Sequence, residues 1–166
     1  MRVAWVAVTA GLIGAAAGAM HAATRLDRLH VRTDAAWAAL DAALYRRAVA
    51  ASAVRGYGAL RRTARAALLA GPSAREDLEN ELGRALSALD RGRLEPACAG
   101  RLADAEQAVV IARRVYNDAV RNTLALRSRR LVRWLRLAGT APLPRYFEIV
   151  EPALPAYGLE LDGAGA

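Results

Sequence analysis

Val3 to Thr24, VAWVAVTAGLIGAAAGAMHAAT, is a run of twenty-two residues without a formal charge, set between Arg2 and Arg25. Coiled as one helix it is about 33 Å long at roughly 1.5 Å per residue, enough to cross a bilayer core of about 30 Å. Val3, Val6, Val8, Leu12 and Ile13 favour insertion, while the Ala and Gly of the second half contribute little. The same residues also fit a cleaved leader: Met1-Arg2 is a short positive region, Val3 to Gly14 an apolar core and Ala17-Gly18-Ala19 an A-x-A site. The run continues past that site, a helical pattern follows without a break, and Trp5 suits an interface. The expectation is therefore a transmembrane anchor over residues 1–24, with a secreted helical binding domain cleaved near Ala19 as the alternative.

Arg25, Arg28 and Arg32 outweigh Arg2 and the α-amino group, which points the C-terminal domain of a single-pass protein into the cytoplasm. Within the span, Gly14 and Gly18 form a small-xxx-small pair on which a second helix packs closely, a spacing that an Ala/Gly-rich run also produces by chance.

Working outward, residues 25–137 leave room for one domain with one core. Aromatic residues are only 5% of the chain while Ala, Leu and Val dominate, a composition of closely packed helices rather than of strands. The fold class expected is all-α. The formal charge is +8, carried by Arg without any Lys, which raises anionic lipid and nucleic acid as partners. The anchor favours lipid. Cys98 is alone, so an intrachain disulfide and a thiolate metal cage are both excluded.

From Thr24 onward, Leu26, Leu29, Thr33, Trp37, Leu40 and Leu44 step by three and four along one helix face. No Pro intervenes before Pro72, so the spacing predicts a long first helix running on to about Leu69, where Gly71-Pro72 stops it. Asp27, Asp34 and Asp41 recur every seven residues at the edge of its apolar stripe. Ser73-Ala-Arg-Glu76 reads as a capping box opening a second helix, striped by Leu78, Leu82, Leu86 and Leu89. Arg91 to Gly100 reads as its connecting loop. A third helix from about Arg101 to Leu137 has neither Pro nor Gly, and Leu102, Ala105, Val109, Ala112, Val115, Tyr116, Ala119, Val120 and Thr123 are expected to line one face. An antiparallel bundle follows, with the first and third helices as natural partners. Residues 138–166 carry four Pro residues and read as an extended tail, in which Tyr146, Phe147, Ile149 and Val150 are expected to dock on the bundle or on a partner.

Arg32 to Asp41 (RTDAAWAALD), Arg46-Arg47, Gly56-Tyr57, Ala112 to Arg121 (ARRVYNDAVR) and Tyr146-Phe147-Glu148, in this order and spacing, resemble the LemA family of bacterial membrane proteins. The resemblance covers roughly residues 1 to 150, and the Tyr-Asn-Asp-Ala-Val run is its most specific piece. It implies a short external N-terminus, one transmembrane helix in the cell membrane and a cytoplasmic antiparallel bundle without established enzymatic activity. The chain departs from the family where a Pro-Asn pair usually follows the Arg pair and Val49 to Val54 stands here, and in a shorter second helix whose loop lacks an aromatic-proline turn.

No catalytic set emerges. His21 lies in the apolar run and His30 just beyond it, and no H-E-x-x-H, phosphate loop or zinc spacing exists. Catalysis, cofactor and metal are not expected. Asp34 and Asp41, about 10.5 Å apart along a helix, are too distant to share a proton or a metal ion. They are expected to meet Arg113, Arg114 or Asn117 across the helix interface, with Trp37 and Tyr116 buried beside them. The strongest functional signal is Arg127 to Arg136, RSRRLVRWLR: on one continuous helix Arg129, Arg130, Arg133 and Arg136 share one side and Leu131, Val132, Trp134 and Leu135 the other. Such a segment lies on an anionic membrane surface or closes the end of the bundle. The expected partners are the lipid bilayer, other membrane or cytoplasmic proteins and a second copy of the chain. Nucleic acid is not expected, since no stacking aromatics or docking motif accompany the arginines.

Overall fold

The computed structural model describes residues 2–134 and 142–149; for residues 2–4, 7, 8, 12 and 131 it describes the backbone alone. Every regular element among them is helical: α1 (Arg2–Ser52), α2 (Gly58–Leu68), α3 (Arg75–Ser87), a 3-10 turn (Arg91–Arg93), α4 (Pro96–Arg127) and α5 (Arg130–Trp134).

The first helix, 51 residues long, changes character along its length. Trp5, Val6, Ile13 and Met20 are exposed, and packing begins only near Ala22 and Leu26. Beyond that point Leu26, Thr33, Leu40 and Arg47 recur at seven-residue intervals on its buried face, with Ala36, Ala43, Leu44, Ala48 and Ala51 beside them. The partner is α4, as the sequence pattern predicts. Leu26 clusters with Leu126, Thr33 meets Thr123, and Ala48 shares a cluster with Leu102, so the pair runs antiparallel. The Thr33 and Thr123 hydroxyls lie 3.0 Å apart in the buried seam.

The first helix stops at Ser52 and does not reach Leu69. Carried on, it would leave the stripe of Leu60, Ala64 and Ala67 without a partner. Instead Val54 turns fully into the core, Gly56 takes φ 84°, and α2 folds back on α1. A side chain at Gly56 would meet no neighbour, so its requirement is backbone conformation alone. Gly56→Ala is therefore expected to cost about 1 to 2 kcal/mol, the left-handed penalty of an L-residue, measured as a lowered denaturation midpoint. An unchanged midpoint would show that the turn does not need the left-handed residue.

Three further boundaries differ from the sequence pattern. Ser73-Glu76 does not form a capping box: Ala74 precedes α3 without a side-chain cap, and the Glu76 carboxylate accepts from the Glu148 N–H at 3.4 Å. Pro96 opens α4 rather than closing a loop, because Pro suits the first helical position and the Glu95 carboxylate caps the Ala97 N–H at 3.2 Å. The basic stretch is not one helix. The chain turns at Ser128 and Arg129, then α5 folds Val132 back against Leu26 and Leu126.

The distal half of the molecule holds four helices, where Leu60, Ala64, Leu82, Leu86 and Leu102 pack around Ala48 and Ala51. Arg75 lies by Asp41 and Glu79 by Arg47, so α3 runs parallel to α1 after α2 has returned along it. Among the described residues the proximal half is built on α1 and α4, with the short α5 packed at its end. Residues 142–149 cover them as an extended strap, with Phe147 and Ile149 buried in the shared core. The docking expected of this segment is thus onto the bundle; Tyr146 remains exposed and Val150 lies outside the described residues. Among the described residues no helix is long and apolar enough to cross a membrane.

Candidate functional site

Two constructions stand out from the packing. The first is the seat of the strap. Asn117, on α4, donates its side-chain N–H to the Phe147 carbonyl at 3.2 Å and accepts the Phe147 N–H at 3.0 Å, treating the strap as a neighbouring strand would. The adjacent Tyr116 hydroxyl donates to the Arg145 carbonyl at 2.8 Å, and Arg127, further along α4, donates to the Pro142 carbonyl at 3.1 Å. Trp37 packs on Tyr116 with ring centroids 5.3 Å apart and meets Phe147 edge-on at 5.7 Å. Tyr116 is buried as expected, but Trp37 is 39% exposed. It sits one position off the buried Ala36, at the rim of the α1–α4 seam, and the strap covers it only in part.

Burial pushes the Tyr116 phenol above its ordinary value of 10.0, with the carboxylates of Glu76 and Asp34 adding to the shift. The unfolded chain then loses this proton before the folded one. Stability from this group is fully present below pH 10 and is expected to fall as pH rises from there through the raised folded value. Tyr116→Phe should flatten that alkaline decline in thermal denaturation while costing the single hydrogen bond to Arg145, about 1 kcal/mol. An identical alkaline decline in both proteins would remove Tyr116 as its source.

The acidic residues do not reach the partners expected of them. Asp41 pairs with Arg75 of α3 at 2.8 Å, not with α4, while Asp34 is exposed at the rim. Arg75 also approaches Glu79 at 3.3 Å, and Glu79 meets Arg47 at 2.6 Å. Arg47 and Glu79 are each about 1% exposed, so this is an ion pair inside the four-helix core. A second buried carboxylate, Glu106, takes a bidentate pair of bonds from Arg91 at 2.7 and 2.9 Å. The first pair ties α1 to α3, and the second ties the 3-10 turn to α4. Among the described residues no group of three His, Cys, Asp or Glu side chains is placed to hold a metal ion.

The second construction is the proximal end of the bundle. Arg129, Arg130, Arg133 and Trp134 are all exposed, Trp134 at 81%. The wheel over Arg127 to Arg136 placed Trp134 opposite the arginines; the turn at Ser128 splits that apolar side, giving Val132 to the core and Trp134 to the surface. Arg136 lies outside the described residues. Arg129 and Arg130 share a crevice of about 380 Å³ with Arg25 and His21 of α1. A Cβ added at Gly14 or Gly18 would meet nothing within 4 Å among the described residues. Comparison with protein-family models, with curated proteins and with solved structures finds no match for this chain.

Proposed function

We propose that the chain is a noncatalytic, membrane-anchored helical scaffold of the LemA type. In this reading residues 1–24 hold it in the bacterial cell membrane, and the bundle stands on the cytoplasmic face as an adaptor for other membrane or cytoplasmic proteins. The observation that carries the reading is the change along α1. One unbroken helix presents exposed apolar side chains over about its first five turns and packs into the bundle only from about Ala22 and Leu26 onward. An apolar helix surface that none of the described residues covers calls for another apolar medium. Val3, Val8 and Leu12 add to that character in the sequence. Arg25, Arg28, Arg129, Arg130 and Arg133 gather where the exposed and packed parts of α1 meet, as suits a cytoplasmic leaflet bearing anionic lipid. Gly14 and Gly18 leave the span open to a second copy.

The seating of the bundle is tested with Trp134 as the sole tryptophan, in the full chain carrying Trp5→Phe and Trp37→Phe and reconstituted into vesicles containing anionic lipid. Emission is expected to lie to the blue of that in neutral detergent and to stay there at high salt, because an inserted ring is not screened as a charge is. Emission unchanged between detergent and vesicles would end the reading that this surface rests on lipid.

A further inference from the structure

We infer that the crevice between α1 and the α4–α5 turn is a specific binding site for one anionic glycerophospholipid headgroup. The inference rests on the membrane-anchored reading and goes beyond it, since general attraction of a basic surface to a leaflet requires no site. The side chains divide by chemistry. Arg25 and His21, one helical turn apart on α1, form one wall; Arg129 and Arg130, at the turn after α4, form the other. Leu126 and Val132, both buried, close the base. Its volume of about 380 Å³ falls within the range of small-molecule sites.

Among the described residues none of the Arg25, Arg129 and Arg130 side chains makes a hydrogen bond or ion pair, although the chain uses Arg47, Arg75 and Arg91 in tight carboxylate pairs elsewhere. Asp27 is the nearest acid in sequence to Arg25, but two residues along a helix turn it about 200° away. Three arginines thus line the crevice, chiefly with their apolar stems, while the side chains stay exposed to solvent and no carboxylate lines it with them. Guanidinium pairs bidentately with a phosphodiester, and the apolar base suits the glycerol and first acyl carbons beneath it. The location matches the ligand: the exposed apolar turns of α1 leave from this end, so a headgroup here keeps its acyl chains beside the span. Choline headgroups would bring a cation toward the arginines and are discriminated against.

The test counts bound lipid by native mass spectrometry on the full chain purified in neutral detergent with equal amounts of phosphatidylglycerol and phosphatidylcholine. A single phosphatidylglycerol is expected to be retained in preference. Arg129→Gln with Arg130→Gln should lower its retention by about thirtyfold, the effect of two basic residues near an anionic surface. Arg61→Gln with Arg62→Gln, the same charge change on exposed residues of α2, should leave it unchanged. Equal losses from the two pairs would mean that retention follows net charge and would overturn the site. Equal retention of the two lipids would overturn it as well. Displacement of the lipid by inorganic phosphate would reassign the crevice to a free anion. Flotation of the same preparation with vesicles separates these results from failure of the membrane reading itself, which would show as protein left unbound at the bottom of the gradient.

Discussion

Glu79→Ala is expected to destabilise the protein by about 3 to 5 kcal/mol, because it leaves the Arg47 guanidinium charged in the core without its partner. Arg47 is buried on α1 beneath α3, and its Nη2 to Glu79 Oε2 contact of 2.6 Å is the principal compensation for its desolvation. Arg75 would then keep only Asp41, a pair that is half open to solvent. Replacing both members together is a different experiment. Arg47→Met with Glu79→Leu removes two buried charges and fills the space with apolar atoms, so it should return stability to within about 1 kcal/mol of the parent, or above it. The pair would then be a device for register rather than a net source of stability. Denaturation of the full chain in mild detergent, followed by circular dichroism, measures both. A Glu79→Ala loss below about 1 kcal/mol would mean that water reaches Arg47 and that the distal core is looser than its packing indicates.

The second large effect is expected at Phe147. Its side chain is buried in the cluster that holds Ala36, Leu40, Tyr116 and Val120, and its backbone exchanges two hydrogen bonds with the Asn117 side chain. Truncation of a buried Phe costs about 3 to 5 kcal/mol where the structure stays intact. Here a second consequence follows. Ordering the backbone of the strap costs about 1 to 2 kcal/mol per residue, so loss of its largest anchor shifts residues 142–149 toward release. Phe147→Ala should therefore lower the melting temperature, speed deuterium exchange at the Phe147 amide and leave Trp37 and Tyr116 open to solvent. The alkaline decline assigned to Tyr116 should weaken in the same variant, because that decline depends on burial of the phenol. Unchanged exchange at Phe147 would show that Asn117 alone holds the strap.

These two positions mark what periodicity can and cannot read. The α1–α4 seam was legible because Leu26, Thr33, Leu40 and Leu44 repeat at helical spacing and face Val109, Tyr116, Ala119 and Thr123. The buried ion pair was not. Yet it left a signal: Arg47 falls seven residues after Leu40 on the same stripe, and Glu79 falls three and seven residues before Leu82 and Leu86. A charge on an apolar stripe asks for an opposite charge on a neighbouring one. Asp41 meets α3 and not α4, and nothing local in the sequence says that α2 returns the chain and sets Arg75 beside it.

The boundaries failed for related reasons. Gly56 and Gly58 offered a turn, and whether the helix used it depended on burial of Val54 and Leu60, which is a tertiary matter. Pro96 serves equally as a stop or as a first helical residue, and Glu95 decided between them. At the proximal end the wheel assumed unbroken helix through Ser128. The turn there separates Val132 from Trp134, so the segment closes the bundle with one residue and offers the other to its surroundings.

The account as a whole depends on where the first turns of α1 reside, and extraction of native membranes tests this most directly. Membranes from cells of the native host are washed with alkaline carbonate, and the protein in pellet and supernatant is measured by intact mass. The anchored scaffold predicts protein retained in the pellet with a mass that includes Val3 to Thr24. Protein released to the supernatant, or a mature chain beginning at Met20, would contradict it.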